Sequence, residues 1–267
     1  MKPVEELFVD ELNIKFWKRE GEKNKNLYWV KSMLDIDQSL LYPEISNFNH
    51  KEIDLLSLSK SRMTVYSILK DGFDNPTHKL AIDLTSANMI SNISTFEIDM
   101  EVVELFEQYL GKDSKEVLND LKEEYTRLIY DSYMPFIPPY ESIYRGERQV
   151  QGKFTWEVSN FYKEFDLIVD GKEMPDHIVH ECEFISILSS YEYENRKNEN
   201  IKEAEKYHKA ISEFLDKHLL IWGNKFCLDL VSLTKVPFYR AMALLGKSIF
   251  TWENNYIKRG VYEKYPK

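Results

Sequence analysis

Glycine is scarce in this chain: 9 of its 267 residues, beside 9 prolines and 2 cysteines. So few glycines leave little for tight β-turns, and the many Leu, Ile, Glu and Lys residues suit helices instead. No apolar run approaches the roughly 18 residues that a membrane-spanning helix needs. The opening MKPVEELFVDEL is acidic and amphipathic, unlike a basic stretch followed by an apolar secretory core. A cytoplasmic protein is expected. Basic charge is also short: the net charge of −10 argues against general nucleic-acid binding. Gly-rich phosphate loops and a G-x-S-x-G elbow are absent. Cys182 and Cys227 sit in separate apolar helical patterns, which predicts buried free thiols and gives neither the polar setting of a nucleophile. No catalytic residue, metal ligand or cofactor is assigned, and the chain reads as a non-enzyme.

What is present is helical periodicity. Residues 1–58 form an irregular leading region with one short helix expected over Val4–Lys18. Regular spacing starts at SKSRMTVYSILKDGF, where Met63, Tyr66, Leu69 and Phe73 recur every three or four positions, and Asp74-Asn75-Pro76 stops it. Further helices are predicted over 99–110, ended by Gly111, and over 114–130, opened by Ser114. MPFIPPYESIYRGERQVQGK, residues 134–153, breaks the pattern with three prolines and two glycines, a long internal loop of the kind that often carries function. Helices resume over 155–165, 174–193, 200–222, 225–232 and 237–256. No strand alternation or internal repeat is visible, so the fold class is all-α.

KEMPDHIVHECEF, residues 172–184, gathers Glu173, Asp176, His177, His180, Glu181 and Glu183 at the mouth of an apolar helix. Pro175 suits a helix's first turn, and Asp176 beside unpaired amides at the positive end of the dipole should favour its ionised form. Ile178, Cys182, Ile185 and Leu188 share one face, widened by Phe184 and Tyr191, so the helix reads as central and buried. A His177–Glu181 hydrogen bond is one bland reading of the motif. A metal-dependent hydrolase using Asp176, His177 and His180 is another, although the spacing is neither H-E-x-x-H nor its inverse. The third reading is a surface that holds something basic.

Several runs together resemble the TorD/DmsD/NarJ family of molybdoenzyme maturation chaperones. PDHIVHECEF is similar to its P-D-H-[LI]-x-x-E-L-E-F signature, and EEYTRLIYDSYMPFIPPYESIYRGER to its E-Y-x-R-L-F helix and P-P-[YW]-x-S-[VI]-Y loop. HLLIWGNKF, PFYRAMALL and SRMTVYSILKDGFDNP resemble three further segments, in the family's order, across residues 59–267. The resemblance implies a single all-helical domain of about ten helices over 59–267, with 1–58 as an N-terminal extension and 134–153 as a loop or hinge. It implies a non-catalytic partner for the twin-arginine leader of an apo-molybdoenzyme of the dimethyl sulfoxide reductase superfamily, held in the cytoplasm until its molybdopterin cofactor is inserted. Monomers and domain-swapped dimers both occur in such a family. The signature positions carry over to Glu173, Pro175, Asp176 and His177; to Tyr125, Leu128 and Ile129, where Ile129 replaces an aromatic; and to Tyr140, Ser142 and Tyr144. Paired guanidinium groups need carboxylates, for which Glu173, Asp176, Glu141 and Glu183 are the candidates. The leader's apolar stretch needs a groove, for which the aromatic and aliphatic positions are candidates.

Overall fold

The computed structural model describes residues 53–93, 98–131, 137–147, 151–170 and 173–264; the expected Val4–Lys18 helix lies outside them. Among the described residues there are eleven α-helical segments and no strand. They are α1 (Leu55–Phe73), α2 (His78–Thr85), α3 (Asn88–Ile93), α4 (Met100–Glu107), α5 (Ser114–Tyr125), α6 (Glu141–Tyr144), α7 (Lys153–Lys163), α8 (Ile178–Lys197), α9 (Ile201–Phe214), α10 (Leu220–Leu233) and α11 (Pro237–Lys264). Single π-turns, Thr126–Tyr130 and Leu215–Leu219, prolong α5 and join α9 to α10.

The caps show why the helices begin where they do. Asp54, Thr77, Asp99 and Asp113 each accept amide hydrogen bonds from the first turn that follows. Asp113, one residue ahead of the expected Ser114, has the carboxylate that reaches two amides. α1 therefore starts at Leu55, within the stretch first read as extension. α2 and α3 were not expected; at eight and six residues they are too short for apolar periodicity to register. The expected break between Trp222 and Lys225 is absent because Gly223 stays helical: it lets the Phe250 ring approach to 2.9 Å of where a Cβ would stand.

α8 lies at the centre, packed along α1 on one side and α9 on the other, while α11 closes over α10, α4 and α1. Its Ile178, Cys182, Ile185 and Leu188 are fully buried, as the apolar face required, and both cysteines are buried free thiols. Arg62 of α1 reaches Glu253 of α11 in a buried fork: Nε donates to Oε1 at 2.8 Å and Nη2 to Oε2 at 2.7 Å. Nearby, His208 Nδ1 lies 2.9 Å from Glu192 Oε1, and its Nε2 lies 3.1 Å from the Tyr256 hydroxyl, so polar groups of α8, α9 and α11 meet inside the core.

Gly111 follows α4 with φ of +72° and its amide donates to the Thr85 carbonyl at 3.0 Å. A Cβ there meets nothing within 4 Å, so backbone strain is the only cost. Gly111→Ala is therefore expected to lower stability by about 1 kcal/mol in urea unfolding, with Gly111→Asn milder because Asn tolerates this region.

Candidate functional site

The loop after α5 and the mouth of α8 are sewn together by backbone. Tyr140 and His177 form an isolated antiparallel bridge. The Glu141 amide donates to the Asp176 carbonyl and the Ile178 amide to the Pro139 carbonyl, both at 2.9 Å. The Asp176 side chain completes the joint: it is 0 % exposed, and Oδ2 accepts the Ser142 amide at 3.0 Å. The Tyr162 hydroxyl of α7 donates to the Pro175 carbonyl at 3.0 Å. Two signatures distant in sequence are thus one structural unit.

This joint corrects three expectations about the motif. α8 begins at Ile178, not at residue 174, because Met174–His177 form a turn whose last amide donates to the Met174 carbonyl. His177 is the N-cap, its Nδ1 accepting the Val179 amide at 3.2 Å, so no side-chain bond joins it to Glu181. Asp176 faces the loop instead of the helix amides, and burial, partly offset by hydrogen bonding to Ser142, raises its carboxyl instead of lowering it. Burial also pushes the His177 imidazole down to about 3, so the ring is neutral, with its proton on Nε2.

Glu173 is the carboxylate that this unit presents outward. Its Oε2 accepts the Tyr140 hydroxyl at 2.5 Å, and its Oε1 lies 3.4 Å from the Tyr130 hydroxyl. Tyr130 stands 56 % exposed at the end of the first π-turn, edge-on to Tyr125 at 5.7 Å. Tyr140 packs edge-on against the His177 ring at 5.1 Å. Burial, then the Glu173 carboxylate, holds the Tyr140 phenol well above its ordinary value, so it remains a donor. The field at this rim is acidic: Asp74, Glu173 and Glu183 all act on His180, whose Nδ1 lies 3.9 Å from Glu183. Beside the rim, Phe73, Tyr125, Leu128, Ile129, Phe226, Leu230 and Tyr239 line an apolar crevice. Its void is only about 10 Å³, about one water's worth.

Structure thus divides the expected site residues. Glu173, Pro175, Tyr140 and Ile129 are partly open, and Glu183 lies at the rim. Tyr125 and Leu128 are core residues that border the crevice from within. Ser142 holds Asp176 through its backbone and is fully buried. Glu141 is no free charge partner: it is 0 % exposed and engaged by His218 Nδ1 at 3.0 Å and Arg145 Nη1 at 2.5 Å. Nor does Tyr144 line an open groove, since it packs 5.2 Å from Trp222 and donates to Asp229 at 3.0 Å. Sequence reading gave no site role to Asp74, Tyr130 or His218 and took Trp222, in HLLIWGNKF, as structural. Asp74 had been read only as a helix stop, yet that position at the end of α1 is what brings its charge to the rim. Among the described residues no group of three or more His, Cys, Asp or Glu side chains is placed to hold a metal ion, and no helix is long and apolar enough to cross a membrane.

Residues 97–228, which include the loop, the α8 mouth and most of α10, match the family described as nitrate reductase delta subunit. The chain thus resembles the molybdoenzyme maturation chaperones over about half of its length. It is 33 % identical over 90 residues to the selenate reductase assembly chaperone protein of Thauera selenatis, covering 32 % of this chain and 46 % of that one. It is 25 % identical over 178 residues to the perchlorate reductase assembly chaperone protein of Dechloromonas aromatica (strain RCB), covering 64 % and 78 %. The chlorate reductase assembly chaperone protein of Ideonella dechloratans is 35 % identical over 89 residues, 33 % of this chain and 45 % of that one. The match therefore spans about half the length of two of these relatives. No solved structure matches the chain.

Proposed function

We propose that this chain is a cytoplasmic maturation chaperone that binds the N-terminal leader of an apo-molybdoenzyme and holds that enzyme for cofactor insertion before export. The observation that carries the reading is the Glu173 carboxylate, fixed at the protein surface by the hydroxyls of Tyr130 and Tyr140 and flanked by Asp74 and Glu183. A carboxylate oriented by neutral donors keeps its negative charge while losing rotamer freedom, which suits the fork of a leader arginine. The apolar crevice next to it is where the leader's greasy stretch would lodge, and its small void means that side chains around Ile129 move to admit it. The names of the relatives support an assembly role over catalysis.

The test is calorimetric titration with a synthetic leader carrying paired arginines and an apolar run. Glu173→Gln is expected to weaken binding by roughly 10- to 100-fold, the worth of one charge-assisted hydrogen bond, with little change in thermal stability. Tyr140→Phe, which frees Glu173 to rotate, should lose less. Replacing the leader's two arginines by glutamine should erase the difference between wild type and Glu173→Gln. A leader that binds Glu173→Gln as tightly as wild type would remove this site from the reading.

A further inference from the structure

Beneath the Tyr140–Glu173 surface three carboxyl groups, Glu141, Asp176 and Glu181, are all 0 % exposed. Three carboxylates packed so closely would repel strongly, so the way they are partnered decides what holds the loop. Glu141 takes His218 Nδ1 and Arg145. Asp176 takes the Ser142 amide. Glu181 accepts the Trp222 indole N–H on Oε2 at 3.1 Å, while its Oε1 is buried with no N–H donor facing it. What neighbours Glu181 instead is the Glu141 side chain, whose charge acts on it. Two carboxyl groups bond to one another only when one of them carries a proton, and Glu181 is the one with no cation against it. Burial first, then the Glu141 charge, raises the Glu181 carboxyl well above its ordinary range.

We propose that Glu181 is a positioning residue: its protonated carboxyl, braced by the Trp222 indole, donates to Glu141 and so latches α6, and with it Tyr140, onto the mouth of α8. α6 is the part that yields when the latch opens. It is a four-residue helix with no side-chain cap, whereas Glu181 sits in the first turn of the twenty-residue α8. Loss of the proton places two carboxylates side by side, and the four-residue element moves away from the twenty-residue one. The other charged and titratable groups that face the pair are Asp176, Arg145 and His218, together with Tyr162 of α7 and Cys182 of α8. Asp176, Tyr162 and Cys182 are all raised by burial, and Arg145 and His218 contact Glu141 directly.

The sign follows from the raised carboxyl. The latched form binds the Glu181 proton more tightly than the open form does, so latching is complete at low pH and is lost as pH rises through the raised value. Amide hydrogen exchange of residues 139–146, corrected for intrinsic rates, reads this directly. Wild-type protection at Glu141, Ser142 and Arg145 is expected to fall about tenfold or more as pH rises through the raised Glu181 value, while α1 and α8 stay protected. Glu181→Gln keeps an N–H toward Glu141 and an oxygen toward Trp222 at every pH, and should flatten most of that fall. Glu181→Ala should leave the loop unprotected throughout; if it does not fold, Glu181→Gln still decides. A wild-type loop whose protection ignores pH, or a Glu181→Gln loop that loses protection as wild type does, overturns the latch. The leader-binding consequence rests on the function proposed above and is measured separately: leader affinity should fall with pH in wild type and not in Glu181→Gln. If loop protection behaves as expected while leader affinity does not follow it, the latch stands and the Tyr140–Glu173 binding surface falls.

Discussion

Arg62→Ala is expected to give the largest loss of stability of any single change considered. It removes one half of a buried ion pair and leaves Glu253, 1 % exposed, without its cation. Breaking such a pair costs about 3–5 kcal/mol, which for a chain of this size lowers the melting temperature by on the order of 10 °C. The cost comes chiefly from the stranded charge. Arg62→Met with Glu253→Leu, which removes both charges and keeps the volume, should recover most of the stability. Thermal unfolding of the single and double variants checks this, and a double variant no more stable than Arg62→Ala would refute the account. The Arg62 cation also lies 4.9 Å from the Tyr256 ring centroid, so some loss of packing will persist in the double variant.

The second large effect is at Asp176. Asp176→Ala strands the Ser142 amide in a dry joint, a loss of about 1–3 kcal/mol, and it frees α6 from the mouth of α8. Adding His177→Ala removes the α8 N-cap, worth a further 0.5–2 kcal/mol or so. The two residues are adjacent, so the losses will not simply add. The double variant is expected to melt early and to lose leader binding, which by itself does not distinguish contact from support. Asp176→Asn does. It keeps an oxygen for the Ser142 amide and removes the charge, so it should retain most stability and most leader affinity. Glu173→Gln should show the reverse, intact stability with weak binding. Equal loss of affinity in both would mean that Asp176 meets the leader itself.

The helical scaffold was readable in the sequence because long apolar periodicity survives without context: α1, α7 and α8 lie within a few residues of where spacing put them, while α9 ends at Phe214 instead of running to residue 222 and α11 continues to Lys264 instead of stopping at 256. The PDH motif and the aromatic loop were singled out correctly as unusual. Their relationship was not legible. Asp176 and Ser142 are 34 residues apart, and nothing local says that one buries its carboxylate against the other's amide. A four-residue helix such as α6 has no period to detect. The buried acids were the hardest to read. Glu141 and Glu181 look like solvent-facing charges in sequence, and only the arrival of His218 and Trp222 from after α9 gives each a partner.

The π-turn at Leu215–Leu219 decides where the chain is sensitive to counting. There the Leu220 amide reaches back five residues to the Leu215 carbonyl, so one residue is looped into the turn beyond what an α-helix would use. Deleting one residue within it would remove the looped residue and restore ordinary winding with the flanking helices still in phase, whereas deleting one from the first turn of α10 would turn everything downstream by roughly 100°. Trp222 could then no longer stand over Glu181 while Phe214 kept its place against Phe184. Substitutions, or a single deletion, within these five positions leave that phase intact, but an indel in the adjoining helix changes the phase of everything after it, and a lineage carrying one would have to rebuild both sides of the joint at once.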